Sequence, residues 1–158
     1  FMPEQADIFL APLLRGLAKS GRTLADIDVQ VGGSLEIDDD VERLIEARRP
    51  AMAFTLGGMG SAKTNFYNDA FKRAGYAEAA EEVQALWVSG DKEAAIRAVP
   101  DEMVLKTNLI GTREMIVERI KAYAAAGVTT LRISTSGRNW RERTETLAEA
   151  TDLIHSIQ

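Results

Sequence analysis

The chain has 158 residues, 46% hydrophobic and 27% charged, with a net charge of −5 at pH 7. That composition belongs to a globular protein with a real core, and the acidic balance without a basic cluster argues against a nucleic-acid surface. With no cysteine and one histidine, His155, disulfides and thiolate nucleophiles are excluded and a histidine-built metal cluster or catalytic triad has no basis; no apolar run of about 18 residues marks a membrane span.

Ile8, Leu10, Leu13, Leu14 and Leu17 follow helical spacing. They predict a helix over 3–19, opened by Pro3 and broken or kinked at Pro12. Val29, Val31, Leu35 and Ile37 mark a strand over 28–37, and Gly32-Gly33 in its middle predict a bulge or a place where something approaches the backbone. Asp38-Asp39-Asp40 end that strand, and one of them caps the next helix. A magnesium or calcium site is the other reading, but it needs converging oxygens, and consecutive aspartates at a strand end diverge. A helix over 41–56 follows, with Pro50 kinking it or dividing it in two.

Gly57, Gly58, Met59 and Gly60 then put three glycines within four residues, and Asn65, Phe66, Tyr67 and Asn68 open a helix over 65–74. Clustered glycines allow positive φ and close backbone approach, and a helix start offers unpaired N–H groups to an anion. The spacing is neither that of a P-loop nor GxGxxG. It reads either as an anion-contacting turn or as a helix terminator. Asn65 is either the N-cap of its helix or a ligand contact, and Phe66 and Tyr67 either line an apolar pocket or pack.

Further helices over 76–88, from Asp91 to Ala98, and a turn or two over 101–107 complete a strandless stretch, read as an insertion over about 57–108. Trp87 is placed in the core, and Met52, Met59, Met103 and Met115 are adaptable packing residues. Thr112 caps a helix over 113–126 that Gly127 ends. A β-branched strand over 128–135, a Ser136-Gly137 turn and a helix over 140–157 close the chain. Ser134, Ser136, Gly137 and Arg138 have the chemistry to hold a phosphate, or form an ordinary turn with a solvated arginine.

The order GGMG, NFYND, the aromatic Tyr76, AVPDEMV, an LIGT helix start and an AGVTTLRIS strand resembles the C-terminal half of the luciferase-like monooxygenases, and among them the deazaflavin (coenzyme F420)-dependent oxidoreductases. The resemblance runs from about Phe1 to Ser136. It implies an α/β fold, the C-terminal portion of a (β/α)8 TIM barrel with an inserted helical segment. A complete barrel takes about 250 residues, so the first strands are expected before Phe1, and the start at Phe1-Met2-Pro3 reads as the middle of a protein.

The resemblance further implies hydride transfer with F420, or FMN, on a small organic substrate. Catalytic residues are expected before Phe1. Cofactor contacts are expected from Gly57, Gly58, Met59, Gly60, Asn65, Tyr67, Ser134 and Arg138, arranged as one rim at the strand C-termini, where barrel active sites lie. The alternative is a non-catalytic α/β binding or interaction module. Missing strands would leave edges and an apolar face uncovered, so closure by a second copy in a homo-oligomer, by a helix or by further chain is expected. Without a visible signal peptide the expected location is cytoplasmic, with neither nucleic acid nor membrane as partner.

Overall fold

Alternation of apolar and polar residues builds a sheet, and 3.6-residue periodicity supplies the helices that cover it. The structure is a computed structural model and describes every residue except Ala62, Ser136 and Gln158. In chain order the elements are α1 (Asp7–Lys19), β1 (Gln30–Ile37), α2 (Val41–Gly57), α3 (Phe66–Phe71), α4 (Ala77–Ser89), α5 (Lys92–Arg97), α6 (Asp101–Thr107), β2 (Leu109–Gly111), α7 (Arg113–Ala125), β3 (Thr130–Thr135) and α8 (Trp140–His155). They fall into a sheet unit, Phe1–Leu44 with Leu105–Gln158, and a helical unit, Ile45–Val104.

The sheet is parallel throughout, in the order β2-β1-β3. Gln30 stands opposite Thr130 and the register runs unbroken to Leu35 opposite Thr135, while Leu35 to Ile37 face Leu109 to Gly111 on the other side. Side chains alternate between the two faces of a strand. Val31 and Leu35 of β1 and Leu109 of β2 join Ile116, Ile120 and Tyr123 of α7 and Ala150 and Leu153 of α8 in one buried cluster. Full burial of one such large apolar side chain is worth about 1.5–3 kcal/mol. Gly32, Ser34 and Glu36 share the other face with Arg132 and Ser134. As expected, both long strands are parallel neighbours, and Thr112 caps α7 by accepting from the Met115 amide. Gly127, at φ 82°, ends that helix.

Four expectations are corrected. The LIG of LIGT is not part of a helix start but a strand, β2, too short to show alternation and made by pairing with β1. Gly32-Gly33 form no bulge, since the ladder passes through them in register. Neither Pro12 nor Pro50 breaks its helix: α1 and α2 each continue across the proline. Both prolines are exposed, so the carbonyl each leaves unpaired one turn back can be met by water. The N-terminal segment starts with a separate 3-10 turn, Pro3–Gln5, before α1. Strand order also matters: consecutive strands neighbour one another around a (β/α)8 barrel, whereas here β1 takes the centre and pairs with β3 directly.

The helical unit packs α2 from Ile45 onward with α3, α4 and α5 around Met52, Ala53, Leu56, Val83, Val99 and Met103. A π-helical turn, Lys72–Tyr76, joins α3 to α4, and Gly75 supplies the positive φ of 94° that redirects the chain.

Candidate functional site

The glycine cluster is shaped first by packing. A Cβ at Gly57 would run into the Trp87 side chain; one at Gly58 would lie 2.6 Å from Cδ2 of Phe54 and 3.0 Å from Nε1 of Trp87. The pair therefore lets the indole of α4 sit against the end of α2, edge-on to Phe54 at 5.8 Å between ring centres. Nζ of Lys92 lies 5.3 Å from the same indole, a cation–π contact. Gly60 is the glycine whose backbone needs its freedom: its φ is 99°, and a Cβ there would strike the Thr64 carbonyl. It opens a tight turn in which Ser61 and Thr64 exchange backbone hydrogen bonds. The Gly58 and Met59 amides both donate to the Phe54 carbonyl, at 2.7 and 3.0 Å. These N–H groups turn back into the chain, so an anion at this turn would be met by side chains rather than by a row of amides.

Asn65, 3% exposed, holds both ends of its carboxamide inside the protein. Its Oδ1 accepts from the Asn68 amide at 3.1 Å, capping α3, and its Nδ2 donates to the carbonyls of Thr55 and Leu56. Asn68, buried beside it, donates from Nδ2 to the carbonyls of Leu56 at 3.0 Å and Ala80 at 2.7 Å. Carbonyls in the last turn of a helix lack intrahelical donors; the two asparagines supply them at Thr55 and Leu56 of α2, and Asn68 also reaches the Ala80 carbonyl in the first turn of α4, tying α2, α3 and α4 together. Sequence reading passed over Asn68, although an asparagine three residues after a capping asparagine was its visible trace. Met59, Phe66 and Tyr67 face outward, with Phe66 and Tyr67 edge-on to each other at 5.8 Å. Phe54 and Val88 are exposed in the same unit.

The strand ends lie in the sheet unit. After β1, Oδ1 of Asp40 accepts from the Arg43 amide at 3.1 Å and so caps α2. Asp38 accepts from the Asp40 amide and from Nη2 of Arg43, each at 2.8 Å. The Asp40 N–H and then the Arg43 guanidinium hold the Asp38 carboxyl below the ordinary aspartate range. These aspartates thus serve the helix start. After β3, Ser134 is exposed and Ser136 lies outside the described residues. Gly137 has a φ of 151°, and a Cβ there would come within 2.9 Å of the Arg143 amide. Arg138 donates from its amide (2.7 Å) and its guanidinium (3.1 Å) to Glu142, while Asn139 caps α8. Its side chain is 91% exposed, so the ion pair costs little to exchange for a ligand. Beside β2, Arg119 pairs with Glu4, donates to the Lys106 carbonyl and lines a cleft of about 310 Å³ together with Ile110 and Met115; sequence reading missed this arginine because it looks like any solvated helix charge.

The chain matches the profile of the luciferase-like monooxygenase family over residues 1–130. A Mycobacterium tuberculosis protein named "putative coenzyme F420-dependent oxidoreductase" is 31% identical over 131 residues, covering 82% of this chain and 38% of that one. The 5,10-methylenetetrahydromethanopterin reductase of Methanopyrus kandleri is 29% identical over 128 residues, covering 80% and 35%. The solved structure of the coenzyme F420-dependent tetrahydromethanopterin reductase from Methanopyrus kandleri superposes with a TM-score of 0.70 at 23% identity, over 99% of this chain and 43% of that one; this likeness concerns the fold alone. The chain spans between 35% and 38% of the length of the curated relatives it matches. The chain belongs to the luciferase-like monooxygenase family, on the side where its relatives are named as F420-dependent oxidoreductases.

Proposed function

We propose that the chain is part of an oxidoreductase that transfers a hydride between F420 and a small organic substrate, with FMN as the alternative cofactor. The observation that carries this reading is the family match over residues 1–130 together with a 31% identical relative named for F420. A deazaflavin, when bound, supplies the hydride chemistry, and the protein orients it and keeps water away. The proposed contacts remain Gly57, Gly58, Met59, Gly60, Asn65 and Tyr67 in the helical unit and Ser134 and Arg138 in the sheet unit. Among them the exposed Met59, Tyr67, Ser134 and Arg138 are suited to touch a ligand. Gly57, Gly58 and Asn65 are suited to shape the chain behind them, given what their atoms already contact.

We extend the proposal to the fold and assembly: the C-terminal portion of a (β/α)8 barrel, in a cytoplasmic homo-oligomer. The all-parallel sheet, with a helix after each strand, supports the barrel. The exposed Phe9, Leu13 and Leu14 of α1 support a covered face. No helix among the described residues is long and apolar enough to cross a membrane.

The test is a titration of the full-length enzyme with F420 and, separately, FMN. Arg138→Ala and Tyr67→Ala should each weaken the preferred cofactor by about tenfold, the value of one charge-assisted or well-packed contact. Both variants are at exposed positions and leave the fold intact. Wild-type affinity in both would reject these contacts. Failure of the full-length protein to bind either cofactor would reject the oxidoreductase and favour the interaction module.

A further inference from the structure

The three strands carry two charged side chains, Glu36 and Arg132, and the register puts both on the face turned away from α7 and α8. Glu36 is paired with Arg43 at 3.2 Å. Arg132 has no ion pair among the described residues, a state it shares with Arg15, Arg22, Arg73, Arg141 and Arg143, whereas Arg43, Arg49, Arg97, Arg113, Arg119 and Arg138 each have one. Register keeps it from the one acidic side chain of the strands. Arg132 stands opposite Gly32, four residues from Glu36, or about 13 Å along the strand, which is beyond the screening length at physiological salt.

Gly32 is the seat of this arginine. A Cβ there would lie 3.4 Å from both Nε and Nη2 of Arg132. The guanidinium therefore lies along the strand backbone at the glycine pair that sequence alone marks as a place of close approach. Below it, toward the strand starts, the donors are already used: Gln30 at 2.6 Å, Thr130 at 2.8 Å and Thr129 all donate to Asp28. Above it, toward the strand C-termini, the hydroxyls of Ser34 and Ser134 stand opposite each other in register and have no partner among the described residues. One planar cation and two hydroxyls on a flat backbone form a set rich in donors, whose side-chain acceptors are the neutral serine oxygens alone. That set matches an oxyanion: guanidinium forks bind carboxylate and phosphate oxygens in pairs, and serine hydroxyls complete the shell.

We propose that Arg132, Ser34 and Ser134, seated on Gly32, form an oxyanion-binding patch for the phosphate or carboxylate of a small molecule. The patch lies in the sheet unit alone and does not depend on the identity of the cofactor. Inorganic phosphate and acetate, titrated separately into the ¹⁵N-labelled full-length enzyme at constant ionic strength, test it. Saturable shifts of the Gly32, Gly33, Arg132 and Ile133 amides are expected, with Kd of about 1–10 mM for a single small anion. The arm that saturates names the group. Arg132→Gln should weaken binding more than about tenfold, Arg132→Lys should keep part of it, and Ser34→Ala with Ser134→Ala should weaken it less than the loss of the charge. Shifts that stay linear in both arms, or that persist unchanged in Arg132→Gln, overturn the patch and leave a solvated arginine. Should Arg132→Gln lose the native spectrum, the serine double variant decides: unchanged affinity there overturns the proposal.

Discussion

At the centre of the sheet unit the sealed side chain is Leu35, 1% exposed among apolar residues of two strands and two helices; in the helical unit a side chain sealed as completely is an asparagine, Asn68. The first arrangement is non-directional. Its stability grows with area and is shared by many contacts. The second is directional: one carboxamide joins the end of α2 to α4 through two carbonyls, and no apolar residue of that size can replace those bonds. A unit of short helices with many alanines has little apolar area per element, so the geometry of its helix ends is fixed by amides.

The largest expected effect is therefore on the apolar side. Leu35→Ala removes a fully buried side chain from a core closed by β1, β2, α7 and α8, and should cost about 3–5 kcal/mol. Urea unfolding measures it; a loss under about 1 kcal/mol would mean that this core is not packed as described. Asn68→Ala should come next, at about 1–3 kcal/mol, because it removes two buried hydrogen bonds and leaves a cavity, while the Leu56 carbonyl keeps its bond from Asn65. Hydrogen exchange should then show lost protection over 53–84 and retained protection over 30–37. Uniform loss across both segments would erase the contrast between the units.

Much of the sheet unit was legible because its signals are local. Val31, Leu35 and Ile37 alternate, Thr112 and Gly127 bound a periodic helix, and residues 128–135 are rich in β-branched side chains. What was missed there depends on long-range partners: β2 exists through pairing with β1, and the lone state of Arg132 follows from a register that places it beside a glycine and far from Glu36. In the helical unit the elements were legible from their caps, with Asp91 and Asn65 in the expected roles. The meaning of the glycines was not. A GG pair reads the same whether it cradles an anion or admits an indole, and only the position of Trp87, thirty residues away in sequence, separates the two.

That ambiguity yields a third, smaller effect. Gly57→Ala adds one methyl where the Trp87 side chain already lies, and overpacking of this kind costs about 1–3 kcal/mol. Trp87→Leu opens space at the same place, so the double variant should recover part of the loss. Measured coupling between the two substitutions checks the contact directly. Additive losses would mean that the glycine is required for its backbone, as at Gly60, and would return the GGMG turn to the anion-contacting reading.

The smallest effect lies in the loop after β3, where nothing is buried deeply and charge alone is at stake. The Arg138 amide, and after it the Arg138 guanidinium, hold the Glu142 carboxyl below its ordinary value of 4.5. A carboxylate depressed in the folded state stabilises fully above the unfolded pKa, and that stabilisation is lost as acid titrates the folded group. Glu142→Gln removes the charge at every pH. Thermal melts of the two proteins should therefore differ slightly at about pH 6 and converge in acid, once the pH falls through the lowered pKa of wild-type Glu142. High salt should shrink the difference at about pH 6, since both partners are at the surface. A gap that stays constant from about pH 6 down to the acid limit of folding would show that Glu142 acts through packing, and that the Arg138 guanidinium is not held in place by its charge.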